Sequence, residues 1–310
     1  MHSADRPRPV RPAAVSVLSA DLLVGEPVAA TVLGVHAPAL YLDVAGRVLP
    51  VVTPDAVPLP TALRLTSAGG AMAWGVSAGD VVTVGGGRVV LPGQDLVSAR
   101  TWRPARVRRV PASARPIPPA LTHGEGARSG EDREWLVDGI RTLFPRHECA
   151  SGRSDDRFRT HGEEGAVTSG VAALVGRGQG LTPSGDDALA GALLVAHALG
   201  RSAPLAHAVR ARLHATTAVS AALLDAAVDG FAARDVVALV DAALAGDDAG
   251  VGALLPRVLA LGHTSGRDLV TGVRAALDTL TTGRECGSGC QDDHFRTHRE
   301  KKPTTGRSAA

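Results

Sequence analysis

The chain has 310 residues, a formal net charge of +2 and an apolar fraction of 45%. This length allows two domains or one large one, and the balanced charge gives no reason to expect nucleic acid or an anionic membrane surface as a partner. Aromatic residues are only 3% and the lysines are confined to the C-terminal tail, which argues against base stacking and lysine chemistry. Three cysteines, and no apolar segment of signal-peptide or membrane-spanning length, predict a soluble cytoplasmic protein.

The first part of the chain is predicted to form β-structure. Residues 1–14 include a Pro/Arg-rich stretch and are expected to be disordered. Residues 15–102 contain short valine-rich runs such as VAATVLGV and ALYLDVAG, separated by glycine and proline. The run GGGRVVLPG predicts a hairpin turn that leads into a strand. We expect a small antiparallel barrel or sandwich over residues 15–102.

The middle of the chain changes in composition. Residues 103–165 begin with RPARVRRVPASARPIPP, which predicts a Pro/Arg-rich linker, and a short helix is expected over 131–144. The basic run could contact an acidic partner or nucleic acid, but it lacks interleaved aromatic residues, which favours a solvated linker.

Helical periodicity dominates residues 166–282. Helices are predicted over residues 166–176, 184–199, 204–230, 234–245, 249–261 and 265–282, and the apolar helix 184–199 is expected to be central in a bundle. Residues 283–310 are polar and are expected to be disordered. The fold class is therefore predicted as α+β, a small β barrel or sandwich followed by a helical bundle.

One short pattern occurs twice in the helical half. T-P-S-G-D-D-x-x-x-G covers residues 182–191, and T-S-G-R-D-x-x-x-G covers residues 264–272. Each copy lies between a glycine-containing turn and a helix rich in Ala, Leu and Val. Because the pattern places a serine three residues before an aspartate at each helix start, it resembles a capping box.

Capping does not explain the whole pattern. It requires neither the glycines in GRGQG, residues 176–180, nor the second carboxylate of Asp186. Glycines allow close approach of a ligand, and free amides at a helix start attract anions. A ligand with an anionic end and an end that carries N–H or metal fits this combination, and both interpretations stay open.

A second repeat relates residues 148–163 to residues 285–300. The later copy contains C-x3-C-x3-H-x3-H, formed by Cys286, Cys290, His294 and His298. These residue types suit zinc, but on one straight helix the outer ligands would be ~18 Å apart. A duplicated segment is favoured over a zinc site.

Three stretches together resemble a known family. They are GxGxGLTPSGDDxLxG at 176–191, TTxVSxxLLxxAxxG at 216–230 and LGHTSGRDxxxG at 261–272. Their order and spacing resemble the bacterial family that includes the third subunit of oxamate carbamoyltransferase. The resemblance covers most of residues 15–282. It implies that the protein works with two other protein subunits. The three together would transfer a carbamoyl group between oxalurate and phosphate to give oxamate and carbamoyl phosphate.

The resemblance assigns no catalytic residue, so candidate roles come from side-chain chemistry. Asp186 could accept the carbamoyl NH₂, while helix amides and Arg267 could hold phosphate or oxalate oxygens of a small anionic substrate. The predicted catalytic residues are Asp186 and Asp268. The predicted substrate-binding residues are Gly178, Gly180, Thr182, Ser184, Gly185, Asp187, His263, Thr264, Ser265, Gly266, Arg267, Thr216 and Ser220.

For some of these residues a structural role is an equal alternative. The Thr216 and Ser220 hydroxyls could bond to carbonyls of their own helix, and His263 could be a local hydrogen-bonding group. Two other functions also stay open. One is a regulatory module that binds a small metabolite without turnover, and the other is a hydrolase with Asp186, Asp187 and Asp268 as Mg²⁺ ligands. Apart from that Mg²⁺, no cofactor is predicted, and neither nucleic acid nor a membrane is expected as a partner.

Overall fold

Eight strands of the N-terminal half close into a barrel. A computed structural model describes residues 8–66, 72–111, 117–123, 133–144 and 156–282. The strands are β1 (Val10–Ser16), β2 (Val28–His36), β3 (Ala39–Val44), β4 (Arg47–Val52), β5 (Leu63–Leu65), β6 (Val81–Gly85), β7 (Arg88–Leu91) and β8 (Gln94–Trp102). Their order around the barrel is β1-β5-β4-β3-β2-β6-β7-β8, and a one-turn helix, α1 (Asp21–Val24), follows β1.

The barrel interior is aliphatic because alternate residues of each strand point inward. Leu40 and Leu42 of β3 and Leu49 and Val51 of β4 are fully buried there. The predicted hairpin is present, since β6 and β7 pair antiparallel with Gly85 opposite Arg88. Most pairs are antiparallel as predicted, but β1 with β8 and β4 with β5 are parallel.

Strand β1 begins inside the segment that its composition predicts to be disordered. Val10 pairs with Asp95 of β8, and Ala13 pairs with Leu65 of β5. Pairing on both sides stabilises residues 10–14 as a strand, although Pro12 alone would disfavour one. The predicted boundary at residue 15 is therefore corrected to Val10.

Nine helices form the described part of the second half of the chain. They are α2 (Pro119–His123), α3 (Glu134–Thr142), α4 (Asp156–Leu174), α5 (Ser184–Ala198), α6 (Ala203–Arg210), α7 (Ala218–Val228), α8 (Arg234–Ala245), α9 (Asp248–Leu259) and α10 (Ser265–Thr282). Helix α5 is buried over almost its whole length, which confirms its predicted central position. The predicted α+β fold class is confirmed. No helix in the described ranges is both long and apolar enough to cross a bilayer.

Part of the predicted linker belongs to the helical body. Leu136 and Ile140 of α3 are fully buried in the helical core. The extended strand β9 (Ala105–Arg106) pairs with β10 (Phe231–Ala232), and Arg108 forms an ion pair with Asp241 at 3.0 Å. Proline prevents helix formation here but permits an extended segment to bind alongside the helices. This segment is therefore not the solvated linker that its composition favours.

The single helix predicted over 204–230 is also corrected. Helix α6 ends at Arg210, a 3-10 turn covers Leu213–Ala215, and α7 begins after Thr217, whose hydroxyl accepts the Ser220 amide at 3.1 Å. The break lets Thr216 leave the helix path and donate a hydrogen bond to Asp186. A tertiary contact thus interrupts a segment with good helix propensity.

Candidate functional site

The two copies of the repeated pattern lie side by side because α5 and α10 pack closely. A β-carbon on Gly191 of α5 would lie 2.2 Å from the Leu269 carbonyl oxygen. A β-carbon on Gly272 of α10 would lie 1.8 Å from the Ala188 carbonyl oxygen. The last glycine of each copy therefore packs against the equivalent residue of the other copy's helix, and the two helix starts lie next to each other.

The turns themselves are joined by a hydrogen bond. The hydroxyl oxygens of Thr182 and Ser265 are 2.8 Å apart. In each copy the glycine after the serine donates its amide to the turn before it, Gly185 to the Arg177 carbonyl and Gly266 to the Leu261 carbonyl, both at 2.9 Å. The sequence repeat is therefore also a structural repeat, in which a turn joins α4 to α5 in the first copy and α9 to α10 in the second.

The predicted capping box is wrong for the first copy. Pro183 is the N-cap residue of α5, and no side chain caps this helix. The amides of Asp186 and Asp187 donate to the Pro183 carbonyl at 2.9 and 3.1 Å. These amides are already bonded within the chain, so the start of α5 is a poor anion site.

The glycine-rich turn is explained by contacts with its own chain. Gly176, Gly178 and Gly180 have φ values of 72°, 126° and 89°, which favour glycine. A β-carbon on Gly176 would lie 2.4 Å from the Ala215 carbonyl oxygen, and one on Gly178 would lie 2.6 Å from the Ser184 nitrogen. Tight packing therefore accounts for glycine at positions 176 and 178 without a ligand.

Asp186 joins this turn to the start of α7. Its Oδ1 accepts the Gly176 amide at 2.8 Å, and its Oδ2 accepts the hydroxyls of Ser220, at 2.7 Å, and Thr216. The residue is 1% exposed. Three internal donors satisfy this carboxylate, so Thr216 and Ser220 act with Asp186 to hold the turn in place.

Asp268, in the second copy, has a cationic partner. Arg133, just before α3, donates from Nε to Asp268 Oδ1 at 2.7 Å, and Asp268 is 1% exposed. Its Oδ2 is buried and has no hydrogen-bond partner among the described residues. The ion pair compensates the buried charge and fixes α3 against α10.

Asp187, the equivalent of Asp268 in the first copy, has no such partner. It is 8% exposed, its Oδ2 accepts no hydrogen bond from the residues that the structure describes, and no described cation forms an ion pair with it. The pKa of Asp187 is raised to about 7, mainly by burial and also by the neighbouring Asp268 and Asp186, while hydrogen bonds from the Ser265 and Thr182 hydroxyls oppose the rise. This carboxyl group can therefore gain or lose a proton near neutral pH.

Asp187 faces a cavity of about 570 Å³ between the barrel and the helices. Helices α5, α7, α8 and α10 supply mainly aliphatic side chains, and the segment after β4 supplies Val57, Leu59 and Pro60. The polar lining side chains are His36, Tyr41, Asp55, Thr182, Asp187 and Ser265. Burial raises the pKa of Tyr41, which keeps its hydroxyl protonated at neutral pH. A large apolar pocket with a few converging polar groups is the usual form of a small-molecule site.

Only some of the predicted site residues line this cavity. Thr182, Asp187, Ser265 and Gly266 do. Arg267 and His263 are exposed, and no arginine or lysine lines the cavity in the described part of the chain. The predicted residues outside the lining are Gly178, Gly180, Ser184, Gly185, Asp186, Thr216, Ser220, His263, Thr264, Arg267 and Asp268.

The predicted magnesium alternative is not supported. The described residues contain no group of three or more His, Cys, Asp or Glu side chains arranged to hold a metal ion. Asp186 is occupied by three donors and Asp268 by Arg133, so Asp187 is the only one of the three predicted ligands that lines the cavity. The Cys/His pattern of residues 286–298 lies outside the described ranges.

The comparison with protein families finds one match, in the helical half of the chain. Residues 174–277 match the family model described as oxamate carbamoyltransferase subunit AllH. We call residues 174–277 the AllH segment. The resemblance read from the three sequence stretches is thereby confirmed. The comparisons with curated proteins and with solved structures found no match.

The AllH segment contains only the helical half of the cavity. It begins at Leu174, the last residue of α4, and ends within α10, so both turns lie inside it. The barrel residues His36, Tyr41 and Asp55 lie outside it, and no sequence motif indicated them. Leu181 and Gly262 also line the cavity and were missed, although each is adjacent to a predicted residue.

Proposed function

We propose that the protein is a subunit of a carbamoyltransferase complex and that its cavity binds the compound that carries the carbamoyl group. One observation carries the proposal: the buried Asp187 lines the cavity, and its Oδ2 has no hydrogen-bond partner among the described residues. The AllH family is named for an oxamate carbamoyltransferase subunit, which supports both the reaction class and the need for other subunits.

Asp187 has the chemistry that such a transfer requires. A carbamoyl group offers N–H donors and a carbonyl acceptor, and a protonated carboxyl group pairs with both. In transfer to phosphate, a phosphate oxygen bonds to the carbamoyl carbon, the C–N bond breaks, and its electron pair stays on the nitrogen. Asp187 then supplies the proton that the departing nitrogen needs, and it takes the proton back in the reverse direction.

This assignment replaces the predicted catalytic roles of Asp186 and Asp268. Both are buried and hold other parts of the helical body, Asp186 through three donors and Asp268 through Arg133. We propose that they are positioning residues. Because no arginine or lysine among the described residues lines the cavity, we also propose that the phosphate-binding cations come from a partner subunit.

Carbamoyl transfer by the reconstituted complex tests the proposal. Asp187→Asn keeps the size of the side chain but cannot donate the proton, so kcat is expected to fall at least ~100-fold. The pH profile of kcat for the unmodified complex should show a group that titrates near neutral pH, and the variant should lose it.

The matched control is Asp225→Asn on α7, where the carboxylate is 53% exposed and paired with Arg210. This complex is expected to keep full activity. Activity of the Asp187→Asn complex within about threefold of normal would contradict a proton-transfer role, since general acid–base catalysis contributes more than that.

A further inference from the structure

The cavity is much larger and more apolar than oxalurate requires. Its volume of about 570 Å³ lies in the range of pockets that hold drug-sized ligands. Leu194, Val219, Leu223 and Leu269 line its helical side, and Val52 and Leu59 line its barrel side. A ligand as small and polar as oxalurate would leave most of this apolar surface without a partner.

The polar groups are distributed unevenly. Asp187 is 8% exposed and lies with the Thr182 and Ser265 hydroxyls, whereas His36 and Asp55 are exposed to solvent. Among the described residues that line the cavity, the one buried ionisable group is therefore the Asp187 carboxyl group. The described lining contains no lysine or arginine to balance a ligand carboxylate. A ligand group that reaches Asp187 should carry N–H donors and no charge, because the protonated carboxyl group offers no counter-charge to a cation and its ionised form would repel an anion.

We infer that the cavity takes an N-substituted urea or primary amide with an aliphatic or aromatic body, so that the carbamoyl end pairs with Asp187 and the body packs against the leucine and valine side chains. This inference rests on the proposed function for the identity of the reacting group. It assigns to this protein a ureido substrate more apolar than oxalurate. Its test uses the full chain and needs neither partner subunits nor turnover.

Calorimetric titration with methylurea, butylurea and hexylurea at pH 6 tests the inference. Each added methylene is expected to lower Kd by about three- to fourfold as apolar surface is buried. Hexylammonium and hexanoate carry similar chains without a carbamoyl group. They are expected to bind at least ~10-fold more weakly than hexylurea, because at pH 6 Asp187 is mostly protonated and a charged group beside it loses its hydration without gaining an ion pair.

Two variants locate the site. Leu223→Trp adds bulk to the partly buried face of α7 that lines the cavity and should weaken hexylurea binding at least ~10-fold while the protein still folds. Asp225→Asn, on the exposed side of the same helix, should bind normally.

Three results would overturn the inference. They are no binding of hexylurea, equal binding of hexylammonium or hexanoate, and normal binding by Leu223→Trp. Transfer by the reconstituted complex could still depend on Asp187 in each case, so failure of the inferred ligand class is distinguishable from failure of the proposed function.

Discussion

The Asp187→Asn variant is expected to gain unfolding free energy relative to the unmodified protein as the pH rises from about 4 to about 8. Burial raises the pKa of Asp187 from 3.8 to about 7. Between these two values the folded protein holds a proton that the unfolded chain has released. The stability contributed by this proton is therefore present below pH 4 and is lost as pH rises through 7, by up to about 4 kcal/mol. Asparagine does not titrate and avoids this loss.

Urea denaturation of both proteins at intervals between pH 4 and pH 8 measures the effect. The difference in unfolding free energy between the variant and the unmodified protein should grow in favour of the variant over this range, and it should level off above pH 8. Asp225→Asn, at an exposed ion pair, should show no comparable trend. A constant difference between the Asp187→Asn and unmodified proteins would show that Asp187 is ionised in the folded protein throughout.

Gly272→Ala is expected to destabilise the helical body by about 3 kcal/mol or more. The new β-carbon would lie 1.8 Å from the Ala188 carbonyl oxygen, so α5 and α10 would have to separate. These helices carry the two turns and Asp187, and their separation should also weaken ligand binding. Thermal unfolding and urea denaturation measure the loss.

Gly252→Ala in α9 is the matched control. Gly252 is exposed, and a β-carbon there would meet nothing within 4 Å. Because alanine favours a helix more than glycine does, this change should be neutral or stabilise by about 0.5–1 kcal/mol. Equal stability of the Gly272→Ala and Gly252→Ala proteins would show that α5 and α10 are not in the close contact described.

The fold class was predictable because each half has one clear periodicity. Valine-rich runs with turn residues gave the strands, and Ala/Leu-rich runs gave most of the helices. The exceptions depend on distant contacts. Strand β1 is stabilised by β5 and β8, and the break before α7 coincides with the hydrogen bond from Thr216 to Asp186. Local sequence carries no signal for either contact.

The position of the site could be predicted from the sequence, but the partners of its individual side chains could not. The repeat identified the two helix starts correctly, but the neighbouring carboxylates Asp186 and Asp187 face different partners because successive helix residues are rotated by about 100°. Alignment of the repeats pairs Asp187 with Asp268, which indicates their equivalence. It does not show that Arg133 neutralises only Asp268. The barrel side of the cavity depends on how the two halves pack and has no sequence motif.

A crystal structure of the protein with bound hexylurea would locate the ligand directly. We expect its urea group within hydrogen-bonding distance of the Asp187 carboxyl group and its alkyl chain among Leu194, Val219 and Leu223. Hexylurea bound elsewhere, with the cavity filled only by water, would contradict the assignment of this cavity as the carbamoyl-compound site.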